Sequence, residues 1–224
     1  MFAGARTLPA MGFTRAELES FNVATVPDLV GPGLKLLFVG INPGLWTAAT
    51  QTHFAHPGNR FYPALLLGGV ITREIDRGTG MAPEDRAHLI ERGIGITNVV
   101  HRATAKASEL SAVELRAGGD ELRRFVADHR PAVVAIAGIT AYRSAFRHPK
   151  ASVGRQADPL EGAELWIVPN PSGLNAHETT QTLAAAYRAP AIAAGVVTEE
   201  RSSAAVRGGT PTRPSRRQLR APPG

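Results

Sequence analysis

Asn42 and Asn170 sit in two short loops of similar make-up, GINPG (Gly40 to Gly44) and NPSGL (Asn170 to Leu174). Each follows an apolar run that reads as a buried strand, LKLLFV (Leu34 to Val39) and ELWIVP (Glu164 to Pro169). Glycine and proline give such loops a tight path and let backbone come close to a ligand. Open α/β sheets bind ligands beyond the carboxyl ends of their strands, so two such loops on one sheet face a common crevice. Either pentapeptide alone reads equally well as a plain turn. The pair, in this order, points to a ligand site. A third asparagine, Asn98, lies near the end of a further run, the uncharged GIGITNVV (Gly93 to Val100). Carboxamides are poor bases but carry a donor and an acceptor side by side.

Other chemistries are excluded or disfavoured. The chain has no cysteine, which removes disulfides, thiol catalysis and cysteine-held zinc or iron–sulfur clusters. Its seven histidines are scattered without a helix-spaced metal pair, so no metal and no cofactor are expected. GINPG lacks the glycine spacing and lysine of a phosphate-binding loop. The formal charge of +6 resembles a nucleic-acid signature, yet +4 of it falls after Val197, where six arginines outnumber Glu199 and Glu200. No apolar stretch is long enough to span a bilayer, and the N-terminus has no secretory pattern; a soluble cytoplasmic protein is expected.

The elements that must position the asparagines follow from pattern. Thr14 with Glu17, and Ser111 with Glu114, read as capping boxes that start helices. The first predicts Thr14 to Phe21. The second opens a long amphipathic helix with Leu115, Leu122, Phe125 and Val126 inward and a glycine pair, Gly118-Gly119, that marks close packing or a kink. Further helices are expected over Arg60 to Leu67, from Pro83 to Gly93, over Thr140 to Arg147, and from Glu178 to about Ala189. A long polar loop is expected from GINPG to Asn59. GIGITNVV and AVVAIAG (Ala132 to Gly138) are the remaining buried strands. Strands alternating with helices imply a three-layer α/β/α fold around a short, mainly parallel central sheet. The domains expected are an N-terminal extension at 1–33, a catalytic unit at 34–196 and a basic, disordered tail at 197–224. That tail reads as a solubilising appendage or as a weak grip on DNA phosphate.

Taken together, GINPG, FAHPGNRFY (Phe54 to Tyr62), GIGITNVV and NPSGL resemble the mismatch-specific uracil-DNA glycosylases, relatives of thymine-DNA glycosylase in the uracil-DNA glycosylase superfamily. The resemblance runs from about Pro32 to Tyr187. It implies a DNA repair enzyme that flips a base out of duplex DNA and hydrolyses its N-glycosidic bond. The sugar becomes positively charged as that bond breaks, so the attacking water needs positioning more than deprotonation.

Residue by residue, the resemblance places Asn42 beside the scissile bond, its side-chain carbonyl accepting from water; the competing reading is an Asx turn before Pro43. Phe54, twelve residues on, matches the phenylalanine that stacks on the flipped base. Ile41 and Phe54 present backbone groups to the base edge, while Phe61 and Tyr62 are expected in the core. Asn98 matches the asparagine of the thymine-DNA glycosylase branch rather than the lysine of some bacterial relatives. Its carboxamide can pair with uracil O4 and N3–H and suits cytosine less well; a strand-end turn is the alternative. His101 stands where relatives carry Asp or Glu, either near the departing base or phosphate, or inert at the surface.

Leu174 is the expected wedge, filling the gap left by the flipped base, with Gly173 close to the opposite strand. The polar or basic residue that follows in relatives is replaced by Asn175 and Ala176. Thr47, Arg60 and Ser172 are expected phosphate contacts. No motif positions a lysine for amine attack, which disfavours a strand-cleaving lyase. The expected protein is a monomeric, nucleoid-associated hydrolase acting on double-stranded DNA that contains a uracil or a mismatch. Open alternatives are other lesions (thymine opposite guanine, alkylated or etheno-cytosine, hypoxanthine) and a non-catalytic module that binds DNA damage or nucleotides.

Overall fold

A computed structural model describes residues 12–198. The expected basic tail, from residue 199 onward, lies outside the described residues.

The strands form where the apolar runs predict them. β1 (Leu36–Gly40), β2 (Ile94–Asn98) and β3 (Val133–Ala137) are buried at every position, and β5 (Glu164–Val168) is buried at Leu165, Ile167 and Val168 with Glu164 and Trp166 half-buried. The sheet order is β2-β1-β3-β5 with a fifth strand, β4 (Gly154–Arg155), outside β5, and the first four strands in that order run parallel. The antiparallel edge strand β4 was not expected; two residues carry no periodicity to read.

Side-chain alternation splits each strand between two cores. Leu36 and Phe38 of β1 face one cluster, with Phe61, Tyr62 and Leu65 of α3 (Phe61–Leu67), Leu89 of α4 (Pro83–Glu91), and Leu183 and Tyr187 of α7 (Thr180–Ala193). Leu37 and Val39 face the other, with Leu122 and Val126 of α5 (Ala112–His129) and Tyr142 of α6 (Ile139–Ala145). Helices therefore cover both faces, as the alternating pattern implies, and the α/β/α architecture is borne out.

Both capping boxes are present, at the starts of α1 (Arg15–Glu19) and α5. The glycine pair in α5 serves close packing: a Cβ on Gly118 would stand 2.0 Å from the Val99 carbonyl oxygen. That contact seats α5 against the segment that leaves β2. α7 runs past its expected end through Pro190, which is buried.

Two expectations need correction. The polar loop after GINPG begins with a short helix, α2 (Leu45–Thr50), whose cap residue Gly44 has no side chain to announce it. The expected N-terminal extension is also partly woven into the fold. Val26 and Leu29 are buried, and Leu29 pairs with Ile96 through 2.9 and 2.8 Å backbone hydrogen bonds.

Candidate active site

β3 lies between β1 and β5 and ends in Ala137-Gly138, so the loops leaving its neighbours overhang a gap floored by a small side chain. GINPG and NPSGL close over that gap. Ile41, Asn42, Thr47, Phe54, Asn98, Ser172, Gly173 and Leu174 all line one cavity of about 510 Å³, together with Ala137 and Asn170. Among its described lining residues there is no Asp or Glu.

Asn42 is oriented by its nitrogen. Nδ2 donates toward Thr104 Oγ1 at 2.7 Å and toward the Pro43 and Arg102 carbonyls at 3.1 Å each. The oxygen end takes no hydrogen bond from a described residue, so it is the free corner of the amide. Thr104 is held in turn, its hydroxyl donating to the Lys106 carbonyl at 2.9 Å. Neither Thr104 nor Arg102 belongs to a motif that sequence reasoning singled out.

Phe54 has a left-handed backbone (φ 56°) that turns its ring onto Phe61, the rings stacked 4.0 Å apart. The segment is pinned from below by Tyr62, whose hydroxyl donates to the His53 carbonyl at 2.9 Å. Burial pushes the Tyr62 phenol well above its ordinary range, which keeps it a donor. Asn98, at the end of β2, is 5% exposed, and its Nδ2 lies 3.2 Å from His53 Nδ1. His53, absent from the sequence-based candidates, is itself buried behind that asparagine.

The NPSGL loop is built by local polar contacts. Asn170 Oδ1 accepts from Ser172 N, and Ser172 Oγ accepts from Leu174 N. Tyr187 secures the loop's base by donating to the Pro169 carbonyl at 2.9 Å. Gly173 is required by proximity, since a Cβ there would fall 2.7 Å from the Gly58 carbonyl oxygen. Leu174 is 95% exposed at the cavity's edge, so it is not folded onto the core.

One expected position turns out otherwise, and the remaining candidates lie as follows. Arg60 does not face outward toward phosphate: its guanidinium donates to the Ser172 and Asn175 carbonyls at 2.7 and 2.8 Å, and to Glu178 O. It clamps the NPSGL loop instead. Thr47, at 6% exposure, lines the cavity. His101 lies outside the cavity, in a separate hollow beside Thr97 and Phe125, with Nδ1 3.8 Å from Asp28 Oδ1. Ser172 remains at the cavity's edge.

A cavity at the carboxyl end of a parallel sheet, walled by amides, the Phe54 ring and the His56 imidazole, suits a flat polar ring. The comparison with known families decides which kind. Residues 27–191 match the family model described as the uracil DNA glycosylase superfamily. The chain belongs to that superfamily. Its members are generally DNA glycosylases, so DNA is the substrate and base excision the type of chemistry. Among solved structures, the chain is similar to the solution NMR structure of a candidate uracil DNA glycosylase from Methanosarcina acetivorans. The two are 18% identical with a TM-score of 0.51, and the match covers 78% of this chain and 98% of that one. At that identity the likeness speaks to the fold alone, an α/β arrangement around a mostly parallel sheet. No helix among the described residues is long and apolar enough to cross a membrane.

Proposed function

We propose that this glycosylase is of the mismatch-specific uracil type, releasing uracil and related damaged pyrimidines from mismatched duplex DNA and leaving an abasic site. One observation carries the reading: Asn42, with its amide oxygen unclaimed, and Leu174, almost fully exposed, border the same cavity.

The nucleotide rotates into the cavity, at a cost of a few kcal/mol in lost stacking. Leu174 enters the vacated stack and Phe54 stacks on the extruded ring. The C1′–N1 bond breaks with its electron pair on N1, leaving a cationic sugar. A water held by Asn42 Oδ1 adds its oxygen to C1′ and loses a proton to solvent, while the uracil anion is protonated as it leaves. The tethered Nδ2 fixes which end of Asn42 meets the water. With no carboxylate among the described wall residues, positioning supplies the acceleration, and the chemistry is slow relative to glycosylases that use an aspartate.

Asn98 supports uracil as the target because its carboxamide offers the donor and acceptor that uracil O4 and N3–H require. The test is release of free base from U·G, U·A, T·G and single-stranded uracil substrates, read by alkali cleavage. The expected result is release from U·G above all others. Release from T·G alone would reassign the lesion. DNA binding without release from any substrate would make the chain a damage-binding module.

A further inference from the structure

His53 stands one residue from the stacking ring, yet its side chain faces away from the cavity and touches Asn98 from behind. Both of its ring nitrogens are engaged. Nε2 lies 3.0 Å from the Pro27 carbonyl oxygen, and Nδ1 lies 3.2 Å from Asn98 Nδ2. A carbonyl can only accept and an amide nitrogen can only donate. Both contacts therefore require the neutral ring with its proton on Nε2 and a lone pair on Nδ1. That tautomer permits one orientation of Asn98. Turning the amide over would set its oxygen against the Nδ1 lone pair.

The other side of the amide is equally constrained. A Cβ at Gly40 would stand 2.5 Å from Asn98 Oδ1 and 3.3 Å from Phe54 Cζ, so the amide oxygen lies close over the end of β1, next to the stacking ring. The identity of the flipped base depends on which way this amide faces. Uracil presents an N3–H donor beside an O4 acceptor; cytosine presents an N3 acceptor beside an N4 donor. An amide free to turn over satisfies either base. A locked one satisfies only one of them.

We propose that His53 is a positioning residue for base selection: anchored to Pro27, it holds the Asn98 carboxamide in the orientation that pairs with uracil and rejects cytosine. The proposal rests on the uracil-excising reading and adds to it the device that enforces selectivity. Burial lowers the imidazole pKa and favours the neutral ring that the lock requires, with the Pro27 hydrogen bond and Asp28 opposing that effect and Arg86 and His101 assisting it.

The experiment compares U·G and C·G duplexes in single-turnover release by wild type, His53→Leu and His53→Gln. Glutamine also carries an acceptor and a donor on adjacent corners, so it can restore both contacts. The leucine variant is expected to lower the uracil-to-cytosine release ratio by about tenfold or more, the scale of one lost hydrogen bond, with affinity for abasic-site DNA unchanged. The glutamine variant is expected to recover most of the ratio. A leucine variant that melts as wild type does and keeps its ratio overturns the proposal. Nitrogen-15 NMR of wild-type His53 gives an activity-independent reading: protonated Nε2 and bare Nδ1 support the lock, and protonated Nδ1 refutes it. If wild type releases no uracil, the functional reading falls and the selectivity role falls with it. If wild type is active and the ratio does not respond to His53, only the inference fails.

Discussion

Arg60→Met is the sharpest test of how the wedge is held. Methionine keeps the apolar stem and removes the guanidinium. Three carbonyls, of Ser172, Asn175 and Glu178, lose the guanidinium's hydrogen bonds, although Ser172 O keeps Asn175 N and Asn175 O keeps Glu178 N as backbone donors. Hydrogen bonds to a charged group contribute about 1.5–3 kcal/mol each when fully counted. These carbonyls are only partly buried, so water recovers much of that. The backbone bond from Arg60 N to Pro171 O (3.0 Å) and the Gly173–Gly58 contact also survive the substitution. A net loosening of about 2 kcal/mol follows, or roughly a 30-fold smaller population of the wedge-ready loop. The assay is kcat/KM for uracil in a U·G duplex beside uracil in an unpaired bubble, where no stack has to be wedged. The duplex value should fall by about 30-fold and the bubble value by far less. Equal losses on both substrates would place Arg60 in the base pocket rather than behind the loop, and no loss on either would show that the clamp is idle.

Three further outcomes are expected. Asn42→Ala should lower single-turnover release from U·G by about 10²–10³-fold, the usual effect of removing one positioned hydrogen-bonding group, while gel-shift affinity for the duplex holds. Leu174→Ala should reduce duplex excision by roughly tenfold and spare the bubble; combined with Arg60→Met it should add little, because both act through the same wedge. Glu114 is held down at about 2 from its ordinary 4.5 by hydrogen bonds from Arg102 and Ser111. A carboxylate lowered on folding stabilises above pH 4.5, and that share is lost as pH falls through 2. Melting temperatures of Glu114→Gln should therefore converge on those of wild type as the pH drops across that window; a constant gap would refute the pairing.

The layered fold was legible because buried parallel strands read as short, mostly apolar runs, and LKLLFV, GIGITNVV and AVVAIAG are such runs. Both capping boxes were legible for a local reason: the bonds span three residues. α2 and β4 were not, one lacking a capping side chain and the other too short for any period. The site divides in the same way. Its loops announce themselves through Gly, Pro and Asn, whereas the residues that orient its asparagines do not. His53 meets Asn98 across 45 positions, Thr104 meets Asn42 across 62, and Arg60 meets Ser172 across 112. Pairings this distant leave no spacing to detect in one sequence. Arg60 followed an asparagine at a helix start and looked like a surface cation; only the folded chain shows its acceptors.

A glycosylase whose cavity wall offers amides in place of carboxylates depends on geometry for its rate. Misplacement of a reacting group by about 1 Å can cost on the order of 10²-fold. The anchoring of the loops follows from that demand. Tyr62 holds the His53 carbonyl, Tyr187 holds the Pro169 carbonyl, Arg60 holds three carbonyls of the wedge loop, and two carbonyls with Thr104 hold Asn42. The anchors on the loops grip main-chain carbonyls, five in all, while the three on Asn42 grip its side-chain amide. Main-chain anchors fix where a loop runs without dictating what it carries, so residues such as His56, on the cavity wall but outside the anchoring set, are the positions where lesion preference can change while the catalytic frame stays in place.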